Sequence, residues 1–225
     1  MMPYPKEIAL IFIYMWLLKG IFMPLHSYTT EKTGSLEVIC GPMFSGKSEE
    51  LIRRLRRATI AKQKTGVFKH SLDNRSTLKS VVSHNGTTLE AFATYTPEAI
   101  AALVEDNDIA VIGIDEVQFF DTTIISVICT MVNKGKRVIV AGLDTDFRGV
   151  PFGSMPTLLS IADSVAKLQA ICTECGDNAI FTQRLVDGRP ARYDDPIILI
   201  GAQEAYQARC RGCYLIDKKP FVLQL

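Results

Sequence analysis

The chain has 225 residues, 48% of them hydrophobic, which is enough to bury one core with a small appendage and too little for a tandem-domain motor. Twenty-five basic against 24 acidic residues leave a net charge of +1, so nothing in the overall field calls for a polyanionic partner such as duplex DNA. Of the six cysteines, four fall into two CxxC pairs in a chain too long to need stapling, which favours a metal in a reducing compartment over a disulfide framework.

Residues 1–33 stand apart from the rest. The run IALIFIYMWLL has about the length of a signal-peptide apolar region, yet Glu7 precedes it, Lys19 follows it and no small-residue cleavage site appears. It spans a bilayer only if Lys19, Gly20 and Pro24 lie inside the span. A membrane anchor, an apolar helix docked on the domain, and an upstream extension absent from the working protein are the three readings. The third is preferred, because Met23 can itself start a chain whose polar leader runs straight into the first strand.

That strand is LEVIC, and Gly41, Gly46, Lys47 and Ser48 after it complete GxxxxGK[ST]. Glycines let backbone N–H groups curl around an anion, the following helix N-terminus adds its dipole, the lysine reaches the outer phosphates, and the serine offers a hydroxyl to Mg²⁺. A glycine turn that merely caps a helix is the alternative, and the flanking strand and helix count against it. The helix that begins near Ser48 carries Arg53, Arg54, Arg56 and Arg57, which spread over more than one face. Leu51, Ile52 and Leu55 form its core side, so the arginines read as solvated surface.

TGVFK, IAVIGI and RVIVAGL are further strands, alternating with helices that begin near Thr96 and Asp121. This βαβ rhythm predicts an α/β fold, a P-loop NTPase-like parallel sheet with helices on both faces, over residues 34–167. The run IAVIGIDE ends in two carboxylates, which a buried central strand delivers to the nucleotide edge of the sheet. Asp115 there would hold the metal. Glu116 would orient an attacking water, giving an ATPase, or accept a proton from a substrate hydroxyl, giving a kinase. A surface charge at a strand end is the plain reading of the same residue. Cys40 and Cys129 sit in apolar runs and read as small core residues.

From about Leu168 the pattern changes to cysteine pairs, turns and short segments such as FTQRL and PIILIG, predicting a small zinc-bound lasso or ribbon module over residues 168–225. Cys172 and Cys175 face Cys210 and Cys213 across a long interval. Paired CxxC motifs are a strong zinc signal, and four thiolates leave no open coordination position, so the metal would be structural. It would pin both ends of a long loop. A pinned loop beside a phosphate site suggests a lid over a second substrate. Within it, Ile197, Ile198, Leu199, Ile200 and Gly201 form an extended segment whose backbone can pair with the edge of a flat heterocycle, and Tyr206 follows before Cys210.

Taken together, GPMFSGKS, DEVQFF, GLDTDFRGVPFG, CTECG, TQRL and YQARCRGCY, in that order over roughly residues 34–214, closely resemble the zinc-containing thymidine kinase family of many bacteria and of animal cytosol. The resemblance implies ATP- and Mg²⁺-dependent transfer of the γ-phosphoryl to the 5′-hydroxyl of thymidine or deoxyuridine, a step of nucleotide salvage. It makes Glu116 the base and Ser48 and Asp115 the Mg²⁺ residues. The nucleotide would be contacted by Gly41, Pro42, Met43, Phe44, Ser45, Gly46, Lys47 and Ser48, by Asp73, Asn74 and Arg75, and by Asp115, Glu116, Val117 and Gln118. The nucleoside would be met by Met43, Phe119, Leu143, Phe147, Phe152 and Thr182, with the 197–201 backbone reading the base and Tyr206 touching the sugar. Without the resemblance, each of these apolar residues is by default core. It also implies a cytoplasmic homotetramer with feedback by the end-product triphosphate and no nucleic-acid polymer as partner.

Overall fold

A computed structural model describes residues 33–70, 80–82, 88–90, 92–94, 96–197 and 204–217. All of these lie in the unit Thr33–Leu225, into which the chain divides after Lys32. The run Ile8 to Leu18 and Met23 therefore fall outside the described residues, as do Asp73, Asn74, Arg75, Ile198, Leu199, Ile200 and Gly201. Among the described residues no helix is long and apolar enough to cross a membrane.

In chain order the elements are β1 (Ser35–Cys40), α1 (Lys47–Ile60), β2 (Thr65–His70), the antiparallel pair β3 (Ser80–Val82) and β4 (Thr88–Glu90), and β5 (Phe92–Thr94). They continue with α2 (Pro97–Asp106), β6 (Val111–Asp115), α3 (Thr123–Asn133), β7 (Arg137–Gly142), α4 (Met155–Ile161) and β8 (Ser164–Lys167). Six of the strands form one sheet in the order β5-β2-β6-β7-β1-β8, and every pairing in it is parallel. Apolar residues run along both faces of the central strands because helices cover both. Ile39, Val67, Val111, Ile139 and Ala141 pack against Leu51, Ile52, Leu55 and Ala58 of α1. Val38, Phe68, Ile112, Ile114, Val138 and Val140 pack against Ile100, Ile124, Ile128, Met155 and their neighbours on α2, α3 and α4. Gly113 lets α1 approach β6 closely, since a Cβ there would stand 2.6 Å from the Leu55 side chain.

The predicted helix starts hold. Thr96 caps α2, its hydroxyl accepting from Ala99 N at 3.3 Å, with Pro97 in the first turn. Within the six-stranded sheet, the strands that sequence reading passes over are its two edges, β5 and β8. Both are short, and β8 leaves Val165 47% exposed, so neither has the continuous apolar run that marks a central strand.

The C-terminal elements are β9 (Ala170–Ile171), β10 (Asn178–Ala179), β11 (Phe181–Val186), β12 (Arg189–Pro190) and β13 (Glu204–Arg209). They form an antiparallel pair, β10-β9, and an antiparallel three-stranded sheet, β12-β11-β13. The short segment FTQRL is thus part of a strand, β11. The register places Thr182 opposite Ala208 and Arg184 opposite Tyr206.

Candidate active site and metal centre

The turn between β1 and α1 takes a backbone path that its glycines allow. Gly41 has φ +143°, and a Cβ on it would lie 2.4 Å from the Leu168 carbonyl oxygen, so no other residue fits. Gly46, at φ +83°, is the left-handed N-cap of α1, where no side chain takes up the first-turn N–H groups. The loop is braced from inside: Ser45 Oγ donates to Pro42 O at 2.8 Å, and the buried Lys47 Nζ donates to the same oxygen at 2.7 Å. Met43 N donates to Thr182 Oγ1 at 3.0 Å, which ties the loop to β11. Between them Phe44 takes φ +65° and stays 47% exposed.

β6 ends beside this loop. Asp115 is 4% exposed; its Oδ2 accepts from Ser48 Oγ at 2.9 Å and its Oδ1 from Glu116 N at 3.0 Å. Burial and then the neighbouring Glu116 charge push the Asp115 carboxyl up to about 6, against the lowering effect of the Ser48 hydrogen bond. A loop hydroxyl and a strand-end carboxylate at this separation are a donor set that fits Mg²⁺, and a divalent cation there would reverse the upward push.

Glu116 itself has left-handed backbone, φ +52° and ψ +43°, at the entry to a 3-10 turn over Val117–Phe119. That conformation costs a non-glycine residue on the order of 1 kcal/mol or more and persists only where surroundings enforce it. Its Oε2 accepts from Gln118 Nε2 at 2.5 Å, and Gln118 Oε1 accepts from Leu143 N at 3.1 Å. Val117 and Gln118 are buried.

Beyond the carboxylates lie aromatic rings. Phe119 and Phe152 meet edge to face with centroids 5.8 Å apart. Phe147, in the segment that leaves β7, is 4% exposed, with the Arg184 guanidinium 4.9 Å from its ring centroid. Arg184 is 1% exposed and donates to Pro196 O at 2.5 Å. Asp146 shapes the segment by accepting from the Arg148 and Val150 backbone N–H groups at 2.8 and 3.2 Å and from Arg148 Nε at 2.8 Å. The Tyr214 hydroxyl donates to Phe147 O at 2.6 Å, and its ring stacks on Phe181 at 4.5 Å. Burial, then the nearby Asp146 charge, raise the Tyr214 pKa and keep that donor protonated.

The structure thus joins Ser48 to Asp115, Glu116 to Gln118, Gln118 to Leu143, Met43 to Thr182 and Phe119 to Phe152. Tyr206 is partly exposed and Ile197 is exposed. Asp146, Arg184 and Tyr214 support the site without having been singled out from sequence. The turn pattern around Asp146 was readable in DTDFRG. Nothing in a sequence signals that an arginine such as Arg184 is buried under a phenyl ring.

Cys172, Cys175, Cys210 and Cys213 bring their sulfurs within 4.8 Å of one another, with Cys175 and Cys210 at 3.6 Å. Tetrahedral zinc with bonds of about 2.3 Å needs sulfurs roughly 3.8 Å apart, so the four residues fit a structural zinc. Burial opposes ionisation of Cys172, but backbone N–H groups of Cys210, Cys175 and Glu174 outweigh it and set the thiol at about 6. Cys213, sharing hydrogen bonds with Cys175 and Cys210, is pushed up to about 12. Such a cluster loses protons when it takes up metal. The cysteine knuckles also adjoin Arg209, whose guanidinium bonds Thr173 Oγ1 at 2.7 Å and pairs with Glu174 at 2.6 Å. Residues 34–214, spanning both the phosphate loop and the four cysteines, match the family model described as thymidine kinase.

Proposed function

The chain belongs to the thymidine kinase family, and on that premise we propose that it is an ATP- and Mg²⁺-dependent kinase of thymidine and deoxyuridine, acting in nucleotide salvage. The observation that carries the finer reading is the 2.9 Å contact between the loop hydroxyl of Ser48 and Asp115, with Glu116 next in sequence. It supports a reading in which a phosphate cradle, a metal-binding pair and a base lie side by side.

In this reading the 5′ oxygen of the nucleoside attacks the γ-phosphorus while the bond from that phosphorus to the β–γ bridging oxygen breaks, and ADP leaves. The 5′ proton passes to the Glu116 carboxylate, which Gln118 holds by hydrogen bond. Lys47 and the loop amides stabilise the charge on the transferring group. Ser48 and Asp115 would hold Mg²⁺, which would supply charge neutralisation on the phosphates. Phe119, Phe147, Phe152, Leu143 and Thr182 form the nucleoside side, together with Tyr206 and the 197–201 backbone. Backbone pairing with thymine would leave buried groups unsatisfied against cytosine, whose donors and acceptors are reversed. Asp73, Asn74 and Arg75 complete the nucleotide contacts. A cytoplasmic homotetramer is the assembly that goes with this reading.

Incubation with ATP, Mg²⁺ and a panel of nucleosides tests it. Thymidine and deoxyuridine monophosphates with stoichiometric ADP are the expected products, and deoxycytidine should be refused. Phosphate release stimulated by DNA, or ATP binding with no transfer to any nucleoside, would overturn it.

A further inference from the structure

Gln118 is a polar side chain buried in the sheet region, 3% exposed, and both ends of its amide are engaged inside the protein. Its orientation is not arbitrary. The Leu143 main-chain N–H, 3.1 Å away, can only donate, so it fixes Oε1 on that side and leaves Nε2, a donor, facing Glu116 Oε2 at 2.5 Å. Two glycines make the room. A Cβ on Gly142 would stand 2.6 Å from Gln118 Oε1, and a Cβ on Gly153, whose φ is +51°, would stand 2.5 Å from the Gln118 carbonyl oxygen. Glu116, in its left-handed backbone, therefore receives a hydrogen bond from an amide that is itself clamped between the end of β7 and the start of α4.

From this geometry we propose that Gln118 is a positioning residue, which acts on the reaction through Glu116. The amide does two things in this place. It holds the carboxylate by one oxygen, and it refers the carboxylate's position to Leu143. That residue begins the segment carrying Phe147 and Phe152, so base and nucleoside wall share one anchor. This rests on Glu116 being the base.

The test uses the full-length enzyme with thymidine and ATP as varied substrates. Gln118→Leu removes both hydrogen bonds, while Gln118→Glu keeps an acceptor for Leu143 N–H and removes the donor to Glu116, so its result decides if the leucine variant does not fold. The expected outcome is a fall in kcat of about 10- to 100-fold, the scale of a catalytic group displaced by a fraction of an ångström to about one, with both KM values and the melting temperature little changed. The Glu116→Gln/Gln118→Glu double variant should be no slower than Glu116→Gln alone, because the second change then has nothing left to act through. A rise in the KM for ATP at constant kcat would show a direct nucleotide contact and overturn the proposal, and so would independent, multiplicative losses in the double variant. If Glu116→Gln alone is nearly fully active, the assignment of the base has failed. If that variant is inactive and Gln118→Glu is normal, only the positioning role has failed.

Discussion

Along β1 and β7 six residues pair in parallel register, and most of their side chains are buried between helices on either face. The core of the cysteine-bearing segment, by contrast, consists of Ala170, Cys172, Ala179 and Ala208. At roughly 0.8 kcal/mol per buried methylene, three alanines cannot offset the ordering of five short strands. What holds that segment is the four-sulfur cluster, the Arg209 contacts and its seams with the sheet region, namely Met43 to Thr182 and Phe147 to Tyr214. The same division runs through function. The phosphate loop, Asp115 and Glu116 belong to the sheet with its own apolar core, whereas the segment with little core braces the side proposed for the nucleoside. Changes in the first should therefore strike turnover, and changes in the second should strike substrate affinity.

The strongest way to break this division is Glu116→Gln. It should lower kcat by about two to four orders of magnitude, the scale of a positioned base, while ATP affinity and folding stay near normal. Single-turnover kinetics with a separate ATP-binding measurement check it. A variant that keeps most of its turnover would put the chemistry elsewhere.

Next in size is Cys210→Ser. Zinc content, measured on the purified protein, should fall, and the KM for thymidine should rise at least about tenfold, since the 204–214 stretch loses its anchor. The sheet should still melt cooperatively, because its two apolar clusters contain none of the four cysteines. If loss of metal instead collapses the whole chain, the sheet is not self-sufficient.

Tyr214→Phe sharpens the same contrast without touching a metal ligand. It deletes the 2.6 Å bond to the Phe147 carbonyl and leaves the stacking on Phe181 in place. One neutral hydrogen bond is worth about 1 kcal/mol, so the KM for thymidine should rise about fivefold with kcat and zinc content unchanged. Equal losses in kcat and kcat/KM would mean that the hydroxyl serves the transition state instead.

These two regions also differ in how much of them can be read from residues alone. Around the phosphate loop the local pattern is sufficient, because GxxxxGK[ST], an apolar strand ending in Asp-Glu, and helices starting at Thr96-Pro97 each carry their own backbone logic. The predicted strands and helices fall where the structure has them. The edges β5 and β8 escape notice because half-exposed strands lack a continuous apolar run. In the C-terminal segment the cysteine spacing announces the metal cluster, but the β11–β13 pairing does not show, because its register depends on partners some twenty residues apart. The Gln118 amide escapes for the same reason. Only the fold brings Leu143 N–H to it, and the resemblance to a known family points to the nucleotide rather than to Glu116.

The smallest expected effect lies in the sheet region and should leave both kinetic constants alone. Glu37 on β1 accepts from Arg54 at 2.7 Å and from Arg137 at 2.6 Å, joining α1 and β7 across the strand between them. Burial raises its carboxyl, but the hydrogen bonds and charges of Arg137 and Arg54 outweigh that and hold it below the ordinary 4.5. A carboxyl with a lower pKa in the folded state than in the unfolded one stabilises the fold above the unfolded value. That contribution disappears as pH falls through the folded value. Glu37→Gln should therefore cost about 1 kcal/mol or less near neutral pH, as for a partly exposed ion pair. The gap from the parent protein should narrow as pH drops below 4.5. Urea unfolding of the two proteins across that range measures it directly. Taking the difference between them cancels any acid release of metal from the four cysteines, which would affect both alike. A gap that stays constant into strong acid would mean that Glu37 acts by shape and packing, not by its charge, and that the sheet owes nothing to ion pairs at this junction.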